Sequence, residues 1–346
     1  MIPTRTPKEI LKFARLYTRD STLYLAGSDG DVWIERKVAG DIDLFSALVP
    51  PTQLASILRE CKSDEVEIVA PTKRSHLSVT AGTASYKLTA PDAHAWPTAE
   101  SPNVYETCYV PSATLHEAIA RAIPVCDVQS AKYALGSVNI TTHPDGTLDV
   151  CSTDGRRMVL TTERVQVIGI LNEPCEALVP QSAAKTVLAL CDLPGMVTVS
   201  VGKGAARFTH DDCTVTCKLA EGRFPQYRNV IPSTLTEDIA CETEIVKRLA
   251  KQSRICTDKE SRSVRFTFQP GKILADTAAS EIGSCKITAE AAYEGDEKSS
   301  LYDPTYVLDA CNGIGDECIL SMAENDSRLV ITTPNVTHVI ANLSVE

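Results

Sequence analysis

Ser152, Asp154 and His210 are the residue types of a hydrolytic trio, and they are the first place to look for chemistry in this chain. A hydroxyl, an imidazole and a carboxylate attack an acyl group only when hydrogen-bonded in line, and residue types alone do not supply that geometry. No G-x-S-x-G turn, G-x-x-x-x-G-K-[ST] loop or H-E-x-x-H helix accompanies them. The glycines of VGKGAARF at 201–208 are too few and wrongly spaced to cradle a phosphate, and read as a hairpin turn. The six histidines (His76, His94, His116, His143, His210, His338) are scattered without ligand spacing. The thirteen cysteines are odd in number and contain no C-x-x-C. Several sit in apolar runs, as at Cys126, Cys191 and Cys311, which predicts small, reduced core residues. The expectation is a protein with no catalytic residues, no metal and no cofactor; a hydrolytic enzyme is the remote alternative.

The more informative chemistry is electrostatic. With 34 Lys and Arg against 45 Asp and Glu, the net charge is -11, which excludes a protein that coats phosphates over its whole surface but allows one basic face. Lys8, Lys12 and Arg15 fall at i, i+4, i+7, and Lys247, Lys251 and Arg254 repeat that spacing, with Arg248 alongside. Arg59, Lys62, Arg121, Lys132 and Lys185 add to the set. Any one such stripe is an ordinary solvated helix face; recurrence at equivalent places in an acidic chain predicts a shared phosphate-facing surface.

The elements that would position these residues recur three times. VPPTQLASILREC at 49–61, VPQSAAKTVLALC at 179–191 and YDPTYVLDACNGI at 302–314 are Pro-led stretches with apolar residues at helical spacing. Each precedes alternating sequence that reads as three strands. Upstream lie TLYLAGSDGDVWIERKV at 22–38, TLDVCSTDGRRMVLTTERV at 147–165 and KILADTAASEIGSCKITA at 272–289, the first two with matching Asp-Gly turns. Further upstream the spacing predicts three amphipathic helices, carrying Ile10, Phe13, Ala14 and Tyr17; Leu115, Ile119 and Ile123; and Val246, Leu249 and Ala250. The first unit is short, its two helices leaving no room for its first strands, so either that domain is trimmed or its start lies upstream. A 346-residue chain with 43% hydrophobic residues can bury two or three cores. No apolar run approaches the roughly 18 residues of a membrane span, and MIPTRTPKEILKF lacks a signal-peptide core, so a cytoplasmic location is expected.

CKLAEGRFPQYRNVIP at 217–232, CSTDGRRMV at 151–159 and YDPTYVLDA at 302–310 resemble, in order, signature segments of the bacterial DNA polymerase III beta-subunit (beta sliding clamp) family. The resemblance covers nearly the whole chain. It implies an α+β fold of three repeated DNA-clamp domains, here at 1–105, 106–233 and 234–346. In that family helices line a hole, sheets form the outside, and two chains close head to tail into a ring. The implied function is that of a processivity factor, which encircles duplex DNA without sequence preference and tethers a polymerase.

Further implications follow from the same resemblance. Gln129 and Lys132 occupy DNA-touching places, alongside the basic residues above; the alternative is ordinary polar residues at a helix end. Polymerase and clamp-loader subunits would insert a short peptide between the second and third domains, at Leu135, Thr153, Gly155, Arg156, Arg157, Met158, Pro225, Asn229, Val230, Tyr306, Val339 and Ile340. The alternative is that the apolar members are simply core. Ring closure would pair Ser85 to Thr89, with Tyr86 and Leu88 on one face, against Ile255 and Cys256 of a second copy, with Lys73, Arg74 and Lys87 near the first edge. Three departures from the family pattern stand out: Ala341 to Glu346 at the C-terminus, Ser261 in place of a pocket aromatic, and the short first unit; the first and the last leave open a divergent paralogue with altered partners.

Overall fold

The computed structural model describes residues 8–40, 45–70, 76–97, 103–130, 133–236, 238–257, 262–277 and 283–343. Lys132, Ser261, Lys73, Arg74 and Ser344 to Glu346 lie outside these. The fold is α+β, with antiparallel sheets and, among the described residues, five α-helices: α1 (Pro51–Glu60), α2 (Ser112–Ala122), α3 (Gln181–Leu190), α4 (Thr243–Ser253) and α5 (Pro304–Ala310). The chain divides into two compact units, one of Met1–Ser112 with Ala189–Leu219, the other of Ala113–Leu188 with Ala220–Glu346.

In the first unit, eight consecutive strands of a large sheet run in the order Val104–Pro111, Met196–Gly202, Ala205–His210, Cys213–Lys218, Val32–Val38, Thr22–Ser28, Ala14–Arg19, Ser46–Val49. A three-stranded sheet of Val66–Val69, His76–Ala81 and Ala84–Thr89 accompanies it. Ala14, Leu16, Val49, Leu54, Ile57, Leu77 and Val79 form the core beneath α1.

One predicted helix is not a helix. Lys8, Lys12 and Arg15 were expected on one helical face, but Glu9–Lys12 is a single 3-10 turn and Ala14–Arg19 is a strand. The reason is local. Asp20 and Ser21 hold φ of 49° and 56° and join Arg19 directly to Thr22, a two-residue turn whose twist suits a hairpin. Ala14 and Leu16 then point to the core while Arg15, Tyr17 and Arg19 take the other face, the alternation of a strand. The first unit therefore has the strands for which its sequence left no room, and lacks, among its described residues, an α-helix before α1.

In the second unit, one eight-stranded sheet runs Cys175–Pro180, Ser137–Thr142, Thr147–Thr153, Arg157–Arg164, Val336–Ile340, Leu329–Thr332, Glu317–Met322, Ile239–Glu242. A four-stranded sheet orders Lys286–Glu290, Lys272–Asp276, Val264–Gln269 and Lys298–Tyr302. Helices bury the faces their spacing predicted: Leu115 and Ile119 of α2, Ala183, Ala184 and Val187 of α3, Val246, Leu249 and Ala250 of α4. Asp303 caps α5, its carboxylate accepting from Thr305 N at 2.8 Å, with Pro304 at the first helical position.

Candidate functional site

The residues expected to bind a partner peptide all fall in the second unit, around the pairing of Arg157–Arg164 with Val336–Ile340, where Arg157 lies opposite Ile340 and Met158 opposite Val339. The turn before this strand is built by short polar side chains. Asp154 Oδ1 accepts from the backbone N–H of Arg156 and Arg157 at 2.9 Å each. Thr153 Oγ1 donates to Arg157 O at 2.8 Å and accepts from Gly155 N at 3.1 Å. Gly155 sits at φ +85°, a conformation that glycine adopts without a Cβ penalty.

Arg157, one of the residues expected at the peptide site, is committed within its own chain. Its Nε meets Asp154 Oδ2 at 3.0 Å, its Nη1 meets Asp309 Oδ2 at 2.5 Å and its Nη2 donates to Pro124 O at 2.8 Å. Its guanidinium also stacks 4.3 Å from the Tyr306 ring centroid. Asp309 and Asp154 hold its pKa above the ordinary value against the opposing effect of burial. Arg157 and Tyr306 thus fix α5 to the sheet.

The apolar members divide by burial. Met158, Val339 and Ile340 are only 1%, 2% and 1% exposed; Met158 and Val339 pack in a core with Cys151, Leu160, Leu178 and Phe224. Leu135 and Tyr306 are half-buried, whereas Gly155, Arg156, Pro225, Asn229 and Val230 are exposed. The surface is therefore an exposed polar and apolar rim beside a closed floor. Val230 O accepts from the Arg328 guanidinium, and Asn229 Nδ2 donates to Gln226 Oε1 at 2.9 Å.

Sequence reasoning missed the residue that explains the GRFPQYR run. Asp149, 1% exposed, accepts from Thr162 Oγ1 and Tyr227 OH at 2.7 Å each, pairs with the Arg228 guanidinium and lies 3.1 Å from His143 Nε2. Phe224 fills the core while Tyr227 and Arg228 anchor the following turn to the sheet. Burial and the neighbouring Asp149 push the Tyr227 phenol upward. The detectable signal was an Asp in an otherwise apolar strand, TLDVCST.

The basic residues are less uniform than their spacing implied. Arg59, Lys185, Arg248, Lys251 and Arg254 are exposed on or beside helices, and Gln129 is exposed in the loop after α2. Lys247 is half-buried, 4.0 Å from Glu244. Lys12 pairs with Glu9 at 2.8 Å, and Lys8 is exposed beside it. Two expected phosphate contacts are corrected. The Arg121 side chain is 7% exposed and engages Gly313 O at 2.6 Å and Glu117 at 2.7 Å, so it pins α2 rather than facing solvent. Arg15 lies in a strand, its guanidinium 4.7 Å from the Tyr17 ring.

Of the pairing residues, Tyr86 and Leu88 are on the edge strand Ala84–Thr89 but pack partly against the core of their own unit. Ile255 is 73% exposed, and Cys256 follows it in a 3-10 turn after α4. Each member of the imagined hydrolytic trio is engaged elsewhere: Ser152 Oγ lies 3.5 Å from Cys126 Sγ, Asp154 holds its turn, and His210 Nε2 lies 3.2 Å from Pro194 O. No group of three metal-ligating side chains occurs among the described residues, and none of their helices is long and apolar enough to cross a membrane.

Three family models match the chain in order: the DNA polymerase III beta subunit N-terminal domain over residues 1–100, its central domain over 109–226 and its C-terminal domain over 228–343. The chain is 23% identical over 341 residues to the beta sliding clamp of Pseudomonas putida, covering 96% of this chain and 90% of that protein. It is 20% identical over 328 residues to the beta sliding clamp of Chlamydia pneumoniae, covering 94% and 88%. The crystal structure of the DNA polymerase III subunit beta from Pseudomonas aeruginosa superposes with a TM-score of 0.90 at 20% identity, over 99% of this chain and 95% of that one.

Proposed function

Because the chain belongs to the DNA polymerase III beta subunit family, we propose that it is a DNA sliding clamp whose contribution to synthesis is tethering rather than chemistry. The observation that carries this reading is the unbroken series of three family models along the chain. Clamp domains at 1–105, 106–233 and 234–346, two chains closing head to tail, would encircle duplex DNA. A ring holds DNA by topology, so a few sequence-independent phosphate contacts suffice, and the exposed Arg59, Lys185, Lys251 and Arg254 are suited to make them. Tethering raises the polymerase's effective concentration at the primer end. Threading a closed ring onto DNA implies an ATP-driven loader as a partner.

Polymerase and loader peptides are proposed to dock on the rim formed by Leu135, Gly155, Arg156, Pro225, Asn229, Val230 and Tyr306. The burial of Met158, Val339 and Ile340 favours a second reading, a clamp paralogue whose pocket floor does not admit the usual leucine or phenylalanine. Titration with a Q-L-x-L-F peptide separates the two: saturable binding, abolished by Pro225→Glu with Val230→Glu on the exposed rim, supports the ordinary role. The clamp reading itself is tested by light scattering at low micromolar concentration. A mass twice the chain's 37.4 kDa is expected, and a stable monomer would refute the two-chain ring.

A further inference from the structure

A cavity of about 690 Å³ opens on one face of the large sheet in the first unit, apart from every residue proposed for peptide docking. Strand register explains its shape. Thr214 lies opposite Glu35, Glu35 opposite Ala26 and Ala26 opposite Arg15, a row across four strands. A parallel row places Arg207 opposite Thr216 and Thr216 opposite Trp33. The single methyl of Ala26 leaves a hollow in the first row, and the long side chains on either side make walls. Trp96, buried with Leu11 and Leu48, also lines the cavity.

The electrostatics of the hollow are unbalanced. Among the described residues that line it, Arg15, Arg19 and Arg207 face a single carboxylate, Glu35, in a protein whose net charge is -11. Glu35 accepts from Tyr17 OH, and Arg19 Nη1 is 3.5 Å from it. Arg15 Nη2 reaches Ser46 Oγ and Arg207 Nε reaches Thr216 Oγ1, each at 3.4 Å, the long limit of a hydrogen bond. Arg15 Nε and Trp33 Nε1 are buried with no hydrogen-bond partner among the described residues. Burial lowers the Arg15 pKa and raises that of Glu35, so the site disfavours its own charges as it stands. Surplus guanidinium charge and orphaned donors in a concavity call for an anion.

The type of anion follows from what the aromatic rings are already doing. Tyr17 and Tyr24 stack at 5.6 Å, with Arg15 4.7 Å from the first ring and Arg19 4.4 Å from the second, while Lys218 Nζ lies 5.6 Å from the Trp33 ring. Cations cover these rings, which therefore offer no stacking platform for bases, and the arginines converge instead of tracking a phosphate backbone. The volume far exceeds one inorganic phosphate, and Trp33, Ile34 and Trp96 add apolar wall. Held over rings, the guanidinium edges are set for bidentate pairing with carboxylates.

We propose that this concavity binds an acidic peptide segment of a protein partner, its carboxylates paired with Arg15, Arg19 and Arg207 and an apolar side chain lodged against Trp96. The site is separate from the peptide-docking rim and goes beyond the clamp reading.

Both tryptophans of the chain, Trp33 and Trp96, line the cavity, so intrinsic emission reports its occupancy. The full chain is titrated with acetyl-Asp-Glu-Phe-Asp-amide and with its Asn/Gln counterpart. The expected result is a saturable emission change with the acidic peptide alone, weakened roughly tenfold or more by Arg207→Gln and by high salt, and strengthened by Glu35→Gln. Arg19→Gln, on a half-exposed side chain, provides the same test should Arg207→Gln fail to fold. No saturation up to millimolar acidic peptide, equal binding of the neutral peptide, or unchanged affinity in the folded arginine variants would overturn the proposal. Saturation by pyrophosphate or an oligonucleotide without the peptide would overturn it in favour of a phosphate site.

Discussion

Asp149 concentrates four interactions on one buried carboxylate, and its replacement separates a structural from a partner-binding role for the GRFPQYR run. Asp149→Asn removes the negative charge that pairs with Arg228 and one of the two acceptor oxygens shared by Thr162, Tyr227 and Arg228, and is expected to lower stability by about 1–3 kcal/mol, read as a shift of the urea midpoint at constant slope. His338 works in the opposite electrostatic sense. Fully buried, with Arg121 and Arg157 adding to the effect of burial, its pKa is pushed down to about 3. Folded-state depression of a histidine means that the unfolded chain carries a proton which the folded chain lacks between about 3 and the ordinary value of 6.5. Stability from this residue is therefore complete above the ordinary value and falls by about 1.4 kcal/mol per pH unit on acidification through that window. Urea midpoints from pH 7 to pH 4 should show this slope in the wild type and a shallower one in His338→Gln; parallel profiles would remove His338 from the acid response.

At the scale of elements, exposure identifies the segment free to pair with another chain. Tyr86 and Leu88 are partly taken by their own core, so charge there would unfold the first unit, whereas Ile255 presents an apolar side chain at 73% exposure after α4. Ile255→Asp should leave the melting curve of the monomeric fold unchanged and convert the two-chain species to single chains in sedimentation; an unaltered mass would move the interface elsewhere. Helices α1 to α5 and the Asp-Gly hairpin at Gly155 were legible because apolar spacing and turn chemistry agree with the final packing. Ala14–Arg19 was not, since Lys8, Lys12 and Arg15 mimic helical spacing while the deciding feature, consecutive left-handed residues at Asp20 and Ser21, carries no glycine to announce it. In the candidate site, the turn at Gly155 was readable from its residue types, whereas the run at 222–228 stood out only by family resemblance and its anchoring to Asp149 went unread. The burial of Met158 and Val339 and the internal use of Arg157 depend on contacts between segments far apart in sequence, which spacing cannot reveal.

For the whole molecule, the charge and the proposed ring make a joint claim about how DNA is held. A chain of net charge -11 that bound DNA through phosphate contacts alone would lose affinity steeply with salt, because each contact releases counterions. Topological retention has no such dependence once the ring is closed. The clamp should therefore remain on a nicked circular plasmid during gel filtration at high salt, after loading by an ATP-driven clamp loader, and should leave when the plasmid is cut once by a restriction enzyme. Retention on the linear product at high salt would point to direct contact strong enough to impede sliding. Loss from the intact circle, with the two-chain mass preserved in solution, would mean that the dimer does not enclose DNA, and would shift the function towards the paralogue with altered partners.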